Sequence, residues 1–226
     1  MRYPYEVNPK ELSVELLSWW AKNKRNFPWR ETRDPYKILI SEVLLHRTRA
    51  EQVVPVYKQF VNKFPTIGDL SAAKLDEISE ILKPLGLHWR TKLLSQAVNL
   101  IMKEYGGRIP STKAELELLP GIGPYISSAI MCFAFGYTEP ILDTNTVRII
   151  GRVLGVKITD QSRRSKLFQE LSESTLDKKN PREFNYALID LGALACIPKE
   201  PLCSICPLNC MCDYGLHRLG RNLPSL

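Results

Sequence analysis

The sequence predicts an all-α protein, and three observations support that class. Apolar residues recur at a spacing near 3.6 through most of the 226 residues, and Pro and Gly interrupt this spacing at intervals. The period-2 alternation that marks strands is scarce. Because apolar residues make up 44% of the chain, we expect a folded globular protein rather than a disordered one.

The predicted helices follow one another along the chain. The first covers residues 11–22 and places Leu12, Leu16 and Trp19 on one side. The dipeptides Phe64-Pro65 and Gly106-Gly107 mark two of the boundaries between helices. Later helices are predicted at residues 38–45, 53–64, 93–105, 114–118 and 125–135.

The charge of the chain favours a polyanionic partner. The formal net charge is +7 and the pI is about 9.1. Binding of phosphates by Lys and Arg releases condensed counterions, so a basic surface suits nucleic acid. An inert basic surface would account for the charge equally well, so other features must decide.

Cysteine usage points to metal binding. No apolar run approaches the roughly 18–20 residues that span a bilayer, and the polar N-terminus, with Pro4 and Pro9, is unlike a signal peptide. We therefore expect a cytoplasmic protein with no membrane partner, in which thiols stay reduced. Six cysteines in that compartment indicate metal ligands before disulfides, whereas Cys132 lies among apolar residues and should be buried.

Four cysteines near the C-terminus form the strongest metal-site pattern. Cys196, Cys203, Cys206 and Cys212 have the spacing C-x6-C-x2-C-x5-C, which lets one short loop surround a metal centre. Spacing alone leaves zinc and an iron–sulfur cluster open, and it also allows Cys210 to replace Cys212. Because few residues follow, we expect no substantial further domain after this site.

A turn with two glycines, Leu119-Pro120-Gly121-Ile122-Gly123, joins two predicted helices. The glycines permit a tight reversal that exposes backbone N–H groups. Just before a helix N-terminus, such groups can hold a DNA phosphate without reading its sequence. A plain connection between helices is the alternative interpretation of this turn.

Asp143 follows the turn in the segment ILDTNTVRI. It is well placed to cap the next helix, whose dipole would keep the carboxylate ionised. An ionised carboxylate can stabilise a cationic sugar or orient an attacking water. The capping role and the chemical role are compatible.

Together these motifs resemble the helix–hairpin–helix glycosylase superfamily, in its endonuclease III and adenine glycosylase (MutY) branch. The matching elements are LPGIGPYISSAI, AFGYTEPILDTNTVRI and the cysteine spacing. The segment FPWRETRDPYKILISEVLL is further similar to the MutY-like subgroup. These elements occur in the family's order and cover most of the chain.

The resemblance implies a two-lobed all-α fold whose C-terminal loop holds a [4Fe–4S] cluster rather than zinc. A continuous helical domain, residues 27–137, would contain the hairpin. A discontinuous domain, residues 1–26 plus 138–226, would carry the cluster. Double-stranded DNA would lie across the cleft between the lobes, with the target nucleotide flipped out and its N-glycosidic bond cut by a monomeric enzyme.

The same resemblance assigns roles to single residues. Asp143 would be the catalytic aspartate that stabilises the oxocarbenium-like sugar and helps water attack. His88 lies where relatives present a wedge that fills the gap left by flipping, and the adjacent Trp89 is either part of that wedge or a core residue. Backbone contacts to DNA would come from Leu119, Gly121 and Gly123 of the hairpin and from Lys199 in the loop 197–202.

Tyr125 determines the expected reaction. Bifunctional relatives of the endonuclease III type carry a lysine nucleophile shortly after the hairpin, where this chain has Tyr125. Without that amine no Schiff base forms at the position, so we expect a monofunctional enzyme without β-elimination. Tyr125 would bound the pocket for the flipped base, or it would simply pack at a helix start.

Glu42 and Arg47 bear on the target base. Glu42 matches the acid with which MutY protonates the departing adenine, but His46-Arg47-Thr48 stands where MutY has paired glutamines. Tyr125, the basic pair and the short chain resemble the archaeal Mig-type mismatch glycosylases, which predicts removal of thymine or uracil from G:T or G:U mismatches. Arg47 would enter the duplex near the orphaned guanine or bind a phosphate, and Glu42 would contact the base, position water or serve only the structure.

Two other functions stay open on sequence grounds. Glu42 favours a short adenine glycosylase that acts on A opposite G or 8-oxoguanine. A DNA-binding module without catalysis, with a structural zinc, belongs to a different class. Asp143 and Glu42 at their motif positions argue against that module.

Overall fold

The computed structural model describes residues 7–86 and 88–220, without the side chain of His88. Within these ranges the chain consists of helices and contains no strand, which confirms the all-α class. Short 3-10 helices lie at Pro28–Arg30, Lys83–Leu85, Ser162–Arg164 and Cys203–Ile205. The α-helices are α1 Pro9–Asn23, α2 Pro35–Leu45, α3 Ala50–Lys63, α4 Ile67–Ala72, α5 Leu75–Leu82, α6 His88–Tyr105, α7 Lys113–Glu117, α8 Pro124–Phe133, α9 Thr144–Val153, α10 Lys166–Thr175, α11 Pro181–Leu194 and α12 Asp213–Arg218.

Contacts between residues divide the chain into two compact units. The continuous unit is Asn26–Tyr137, and the discontinuous unit combines Met1–Arg25 with Thr138–Leu226. Each unit has an apolar core of its own. A separate apolar core is what defines a domain, so each unit is a compact domain in its own right.

Helix α2 lies at the centre of the continuous unit. Every residue from Ile38 to Leu44 is buried, and the helix packs against α3 and α8. It begins at Pro35, because Asp34 accepts a hydrogen bond from the amide N–H of Tyr36 at 2.9 Å and proline needs no partner at the first position. A helix that is apolar on nearly all sides makes any ionisable residue on it costly to bury.

The discontinuous unit is built around α9 and α11, with α1 and α10 packed beside them. Asp190 on α11 is fully buried, yet its carboxylate accepts from the indole N–H of Trp20 at 2.9 Å and pairs with the guanidinium of Arg25 at 2.7 Å. Satisfying a buried carboxylate in this way ties the end of α1 to α11.

Helix α6 differs most from the sequence prediction. It begins at His88, five residues before the predicted start, so that Trp89 and Arg90 lie in its first turn. Periodicity missed this turn because its apolar residue faces outward, as Trp89 is 56% exposed. The alternative interpretation of Trp89 as a core residue is therefore wrong, whereas the prediction that Cys132 is buried is confirmed.

None of the helices in the described part of the chain combines the length and the apolar character that crossing a membrane would require.

Candidate active site

The predicted hairpin is formed by α7, a tight turn and α8. The turn closes with a hydrogen bond from the amide N–H of Ile122 to the carbonyl of Leu119 at 3.0 Å. Gly121 has φ +82°, and a Cβ there would lie 3.2 Å from the Cβ of Leu93, so both conformation and space demand glycine. Gly123 caps α8 without a side chain, which leaves the amide groups at the helix start accessible to an anion.

The side chain of Leu119 is buried in the continuous unit, as is that of Ile122. Leu119 therefore shapes the turn from inside, and its backbone is used there as well: its amide N–H donates to the carbonyl of Leu116 at 3.1 Å and its carbonyl accepts from Ile122. Leu118 is the exposed leucine of this segment, at 71% exposure. Across the hairpin, the hydroxyl of Ser127 donates to the carboxylate of Glu117 at 2.8 Å and fixes the two helices to each other.

Asp143 is the N-cap of α9, which confirms its predicted capping position. Its Oδ1 accepts from the amide N–H of Thr146 at 2.6 Å, and its Oδ2 accepts from the side-chain amide of Asn145 at 2.9 Å. The carboxyl group is half-buried at the helix start. Both oxygens are thereby oriented by the chain itself.

Arg148 continues this arrangement into the interior. Its guanidinium donates to Oδ1 of Asn145 at 2.8 Å and to the carbonyls of Gly192 and Cys196, each at 2.9 Å. Burial lowers the pKa of Arg148. We call Asp143, Asn145 and Arg148, with the carbonyls of Gly192 and Cys196, the α9 network. It links the acidic end of α9 to the first cysteine of the predicted metal loop.

Glu42 lies on α2 in the continuous unit and is only 2% exposed. Since the neighbouring residues of α2 are apolar and buried, the carboxyl group of Glu42 lies in the protein interior and not on a solvated face of the helix. Tyr125 is half-buried in the first turn of α8, the helix that packs against α2.

Arg47 lies in the turn between α2 and α3 and has φ +63°. It is the one residue other than glycine with positive φ among residues 7–86 and 88–220. For an arginine this backbone conformation is strained, and such strain is concentrated at functional positions. The side chain of Arg47 is exposed.

Arg90 forms hydrogen bonds to the C-terminal end of α2 and to the residue that follows it. It is 5% exposed, and its guanidinium donates to the carbonyl of Val43 at 2.5 Å and to Nδ1 of His46. The same guanidinium lies over the ring of Trp89, 4.7 Å from its centroid. The predicted wedge residue next to them, His88, has its side chain outside the described part of the structure.

The four predicted ligand cysteines line one cavity. Cys196, Cys203, Cys206 and Cys212 share it with Arg152, whose guanidinium donates to the sulfur of Cys196 at 3.3 Å. Arg152 also donates to the carbonyls of residues 197 and 198, at 2.8 and 2.6 Å, and so fixes the loop that carries Lys199. Lys199 itself is exposed.

The donor set at this cavity suits a metal centre with several thiolate ligands. Cys210 is exposed and does not line the cavity, so the geometry favours Cys212 as the fourth ligand. Burial raises the pKa of the Cys206 thiol to about 12 and that of Cys212 to about 11. In the described part of the chain, no three His, Cys, Asp or Glu side chains are grouped closely enough to hold a single metal ion.

Sequence reasoning missed four residues of these sites: Asn145, Arg148, Arg90, and Arg152 at the cysteine cavity. Asn145 and Arg148 stand two and five positions after Asp143, and Arg148 interrupts an apolar run on α9, which is a signal for a buried arginine with partners. Arg90 had no such signal, because its acceptors come from the distant end of α2.

The helical fold, the hairpin and the capped aspartate define a class of DNA repair proteins. A family model described as "HhH-GPD superfamily base excision DNA repair protein" matches residues 40–174. The chain belongs to this superfamily.

Within the superfamily the chain is similar to archaeal thymine-DNA and thymine/uracil-DNA glycosylases. It is 40% identical over 208 residues to the thymine-DNA glycosylase of Aeropyrum pernix, covering 90% of this chain and 93% of that protein. It is 36% identical over 200 residues to the thymine/uracil-DNA glycosylase of Methanothermobacter thermautotrophicus, covering 88% and 90%. A solved structure titled as a thermostable thymine-DNA glycosylase superposes with a TM-score of 0.87 at 35% identity, covering 92% of this chain and 97% of that one.

Adenine DNA glycosylases are similar over only part of their length. The rat enzyme (Rattus norvegicus) is 34% identical over 208 residues, which is 87% of this chain and 40% of that protein. The match to thymine and thymine/uracil glycosylases is therefore the fuller of the two, since it extends over nearly the whole of both chains.

Proposed function

We propose that this DNA glycosylase removes thymine or uracil mispaired with guanine, by hydrolysis of the N-glycosidic bond and without strand cleavage. The observation that carries the proposal is the carboxylate of Asp143, held by Thr146 and Asn145 at the start of α9. The choice of base follows the similarity to thymine and thymine/uracil glycosylases, which extends over 88–90% of this chain and 90–93% of theirs.

Asp143 would act on the sugar of the flipped nucleotide. Breaking the N-glycosidic bond leaves positive charge on the sugar ring, and a preorganised carboxylate stabilises that charge as it develops. The same oxygens can orient the water that attacks the anomeric carbon. Asn145 and Arg148 would be positioning residues, because they hold the carboxylate through hydrogen bonds and need not touch the substrate.

Tyr125 underlies the monofunctional part of the proposal. A phenol at this position of α8 cannot form a Schiff base with the sugar, so the step that leads to β-elimination has no amine to begin it. The half-buried ring would instead bound the base pocket. Glu42, buried on α2, would hydrogen-bond to the base or hold the attacking water.

DNA contacts would come mainly from backbone groups and basic side chains. The amides of Gly121 and Gly123 would bind phosphates at the hairpin. Leu119 would contribute by shaping the turn, because its own amide N–H already donates to the carbonyl of Leu116 at 3.1 Å. Lys199 would meet phosphates from its loop, and His88 would fill the gap left by the flipped base. Arg47 would enter the duplex beside the guanine, which would explain its strained backbone. We retain residues 27–137 and residues 1–26 plus 138–226 as the two domains.

Cys196, Cys203, Cys206 and Cys212 would hold a [4Fe–4S] cluster. Four cysteines around one cavity are the donor set that such a cluster takes. The cluster would serve as a cross-link that fixes the loop 197–202. Purified protein with a broad visible absorbance would support the cluster, whereas a colourless protein with bound zinc would contradict it.

The reaction can be tested on four matched duplexes that carry G:T, G:U, A:G and A:8-oxoguanine. Single-turnover base release is measured with and without alkaline treatment, which cleaves abasic strands. We expect cleavage of the G:T and G:U duplexes after alkali and none before it. Adenine release without thymine or uracil release would instead establish the adenine glycosylase that Glu42 suggests, and breaks before alkali would contradict the role given to Tyr125.

A further inference from the structure

Arg152 connects α9 to the cysteine cavity and to the loop that follows Cys196. Its Nη1 donates to the sulfur of Cys196 at 3.3 Å and to the carbonyl of Ile197 at 2.8 Å, and its Nη2 donates to the carbonyl of Pro198 at 2.6 Å. One planar group therefore holds a predicted cluster ligand and the first two residues of the loop 197–202 at the same time.

An aromatic ring fixes the same guanidinium further. Arg152 lies over the ring of Tyr214, 4.8 Å from its centroid, and Tyr214 stands two residues after the predicted ligand Cys212. Arg152 is only half-buried, yet the sulfur, the two carbonyls and the ring together define one position for its guanidinium. Arg152 is therefore a rigid support for the loop and not a solvated surface charge.

The loop 197–202 has few hydrogen bonds of its own. The carbonyl of Ala195 accepts from the amides of Ile197 and Leu202, each at 2.9 Å, which closes the loop at its base. The two prolines of the loop have no N–H to donate. At the tip, Lys199 and Glu200 are exposed, and neither amide N–H donates to another residue in the described part of the chain. The bonds from Arg152 are therefore the ones that reach towards the tip.

The hydrogen bond to Pro198 bears directly on Lys199. The carbonyl of Pro198 and the amide N–H of Lys199 belong to one peptide group, which is planar and trans, so the two point in opposite directions. Since the carbonyl faces Arg152, the N–H of Lys199 faces away from it. A phosphate accepts hydrogen bonds from backbone N–H groups and from lysine, and this residue offers it both.

We propose that Arg152 is the positioning residue that presents Lys199 to a DNA phosphate. The inference rests on the proposed function, because it takes the loop 197–202 as a DNA contact. When bound, a [4Fe–4S] cluster supplies the cross-link that fixes Cys196, and Arg152 extends this fixation from Cys196 to Lys199. Because a phosphate contact carries no sequence information, Arg152 should affect damaged and undamaged DNA equally.

The test is a double-mutant cycle between Arg152 and Lys199. Fluorescence anisotropy gives dissociation constants over a range of salt concentrations, for a fully paired duplex and for one that carries a tetrahydrofuran abasic analogue opposite guanine. Lys199→Gln should weaken binding to both duplexes roughly five- to tenfold at about 0.1 M salt and lower the salt dependence by about one counterion. Arg152→Met should cause both changes, and the double variant should bind within about twofold of the weaker single variant.

Two control variants separate position from charge. Arg152→Lys keeps the charge but replaces the planar fork by a single ammonium group, so binding should weaken here as well. Arg163→Met removes an exposed arginine of the same unit that lies outside the loop and the cavity, and it should change the dissociation constants less than about twofold. Hydrogen exchange of residues 197–202, followed by mass spectrometry, should be about tenfold faster in Arg152→Met and unchanged in Lys199→Gln.

Losses that multiply in the double variant would overturn the inference, because Arg152 would then act independently of Lys199. The same holds for unchanged hydrogen exchange in Arg152→Met, for a loss of affinity in Arg163→Met as large as in Arg152→Met, or for binding that Lys199→Gln leaves intact. Loss of the visible absorbance in both Arg152 variants would assign Arg152 to metal retention instead. Because binding requires no base release, failure of this inference is separate from failure of the proposed reaction, which the release assay on G:T and G:U detects.

Discussion

The α9 network and the end of α2, defined here as Glu42–Thr48, hold their functional groups by different means. In the α9 network each polar group meets another: Asp143 accepts from Thr146 and Asn145, and Asn145 accepts from Arg148. The end of α2 carries the buried carboxylate of Glu42 on an apolar helix, an arginine in a strained backbone conformation, and hydrogen bonds from the buried Arg90.

This difference separates two ways of preparing a site for chemistry. Hydrogen bonds in the α9 network fix the orientation of a carboxylate, and their loss should cost both catalysis and stability. The backbone strain at Arg47 destabilises the folded protein in the absence of DNA. A substitution at Arg47 should therefore change DNA affinity more than the free energy of unfolding. Substitutions at four positions test this contrast, from the largest expected effect to the smallest.

Asp143→Asn should have the largest effect. Asparagine caps helices about as well as aspartate, so the free energy of unfolding should change by less than about 1 kcal/mol. The negative charge is lost, and base release should fall about 10²- to 10⁴-fold in single-turnover assays. Affinity for a duplex that carries a tetrahydrofuran abasic analogue opposite guanine should change little.

The paired exchange Asp143→Asn with Asn145→Asp is the control for Asp143→Asn. It keeps one carboxylate and one amide in the α9 network and moves the charge two residues along the chain, next to Arg148. Base release that recovered in the double variant would show that charge near the start of α9 suffices, contrary to an oriented carboxylate at position 143.

Arg148→Met should have the next largest effect. The methionine fills much of the space but leaves the carbonyls of Gly192 and Cys196 without their donor, and the free energy of unfolding should fall by about 3 kcal/mol. Urea denaturation followed by circular dichroism measures it. Arg152→Met should cost less, since Arg152 is only half-buried. Equal losses in the two variants would contradict the special position of Arg148.

The two regions also differ in how well they could be predicted from the sequence. Capping is local, so Asp143 could be assigned to the start of a helix from the residues around it. The cysteine loop and the hairpin are local as well, since their spacing or their glycines lie within a few residues. The all-α class followed from periodicity because most helices bury one face.

The end of α2 could not be predicted in the same way. The positive φ of Arg47 depends on how α3 leaves α2, and arginine has no preference for that conformation. The role of Arg90 could not be predicted because its hydrogen-bond acceptors, on Val43 and His46, lie more than forty residues earlier in the chain. Trp89 was ambiguous because it lay outside the predicted helix and a large aromatic side chain is usually well buried, whereas the packing of α6 leaves it 56% exposed.

Gly192→Ala tests the packing beneath the α9 network. A Cβ on Gly192 would lie 2.6 Å from the Cβ of Asn145, closer than real contacts allow, so α11 would have to move away from α9. We expect a loss of about 2 kcal/mol in the free energy of unfolding and a smaller decrease in base release than in Asp143→Asn. Gly68→Ala is the matched control, because its Cβ would meet only ordinary contact distances. Unchanged stability in Gly192→Ala would mean that Asn145 is held less firmly than its hydrogen bonds indicate.

Substitutions at Arg47 should have the smallest effect on folding. Arg47→Gly relieves about 1 kcal/mol of backbone strain but makes the unfolded chain more flexible by a similar amount, so the midpoint of urea denaturation should hardly move. Arg47→Val keeps the strain and adds a β-branched side chain, which should cost about 1–2 kcal/mol. Both variants remove the guanidinium and should weaken binding to the abasic duplex with guanine opposite by similar factors. If Arg47→Gly bound this duplex as tightly as wild type, the strained arginine would have no part in recognition and the contrast with the α9 network would fail at this end.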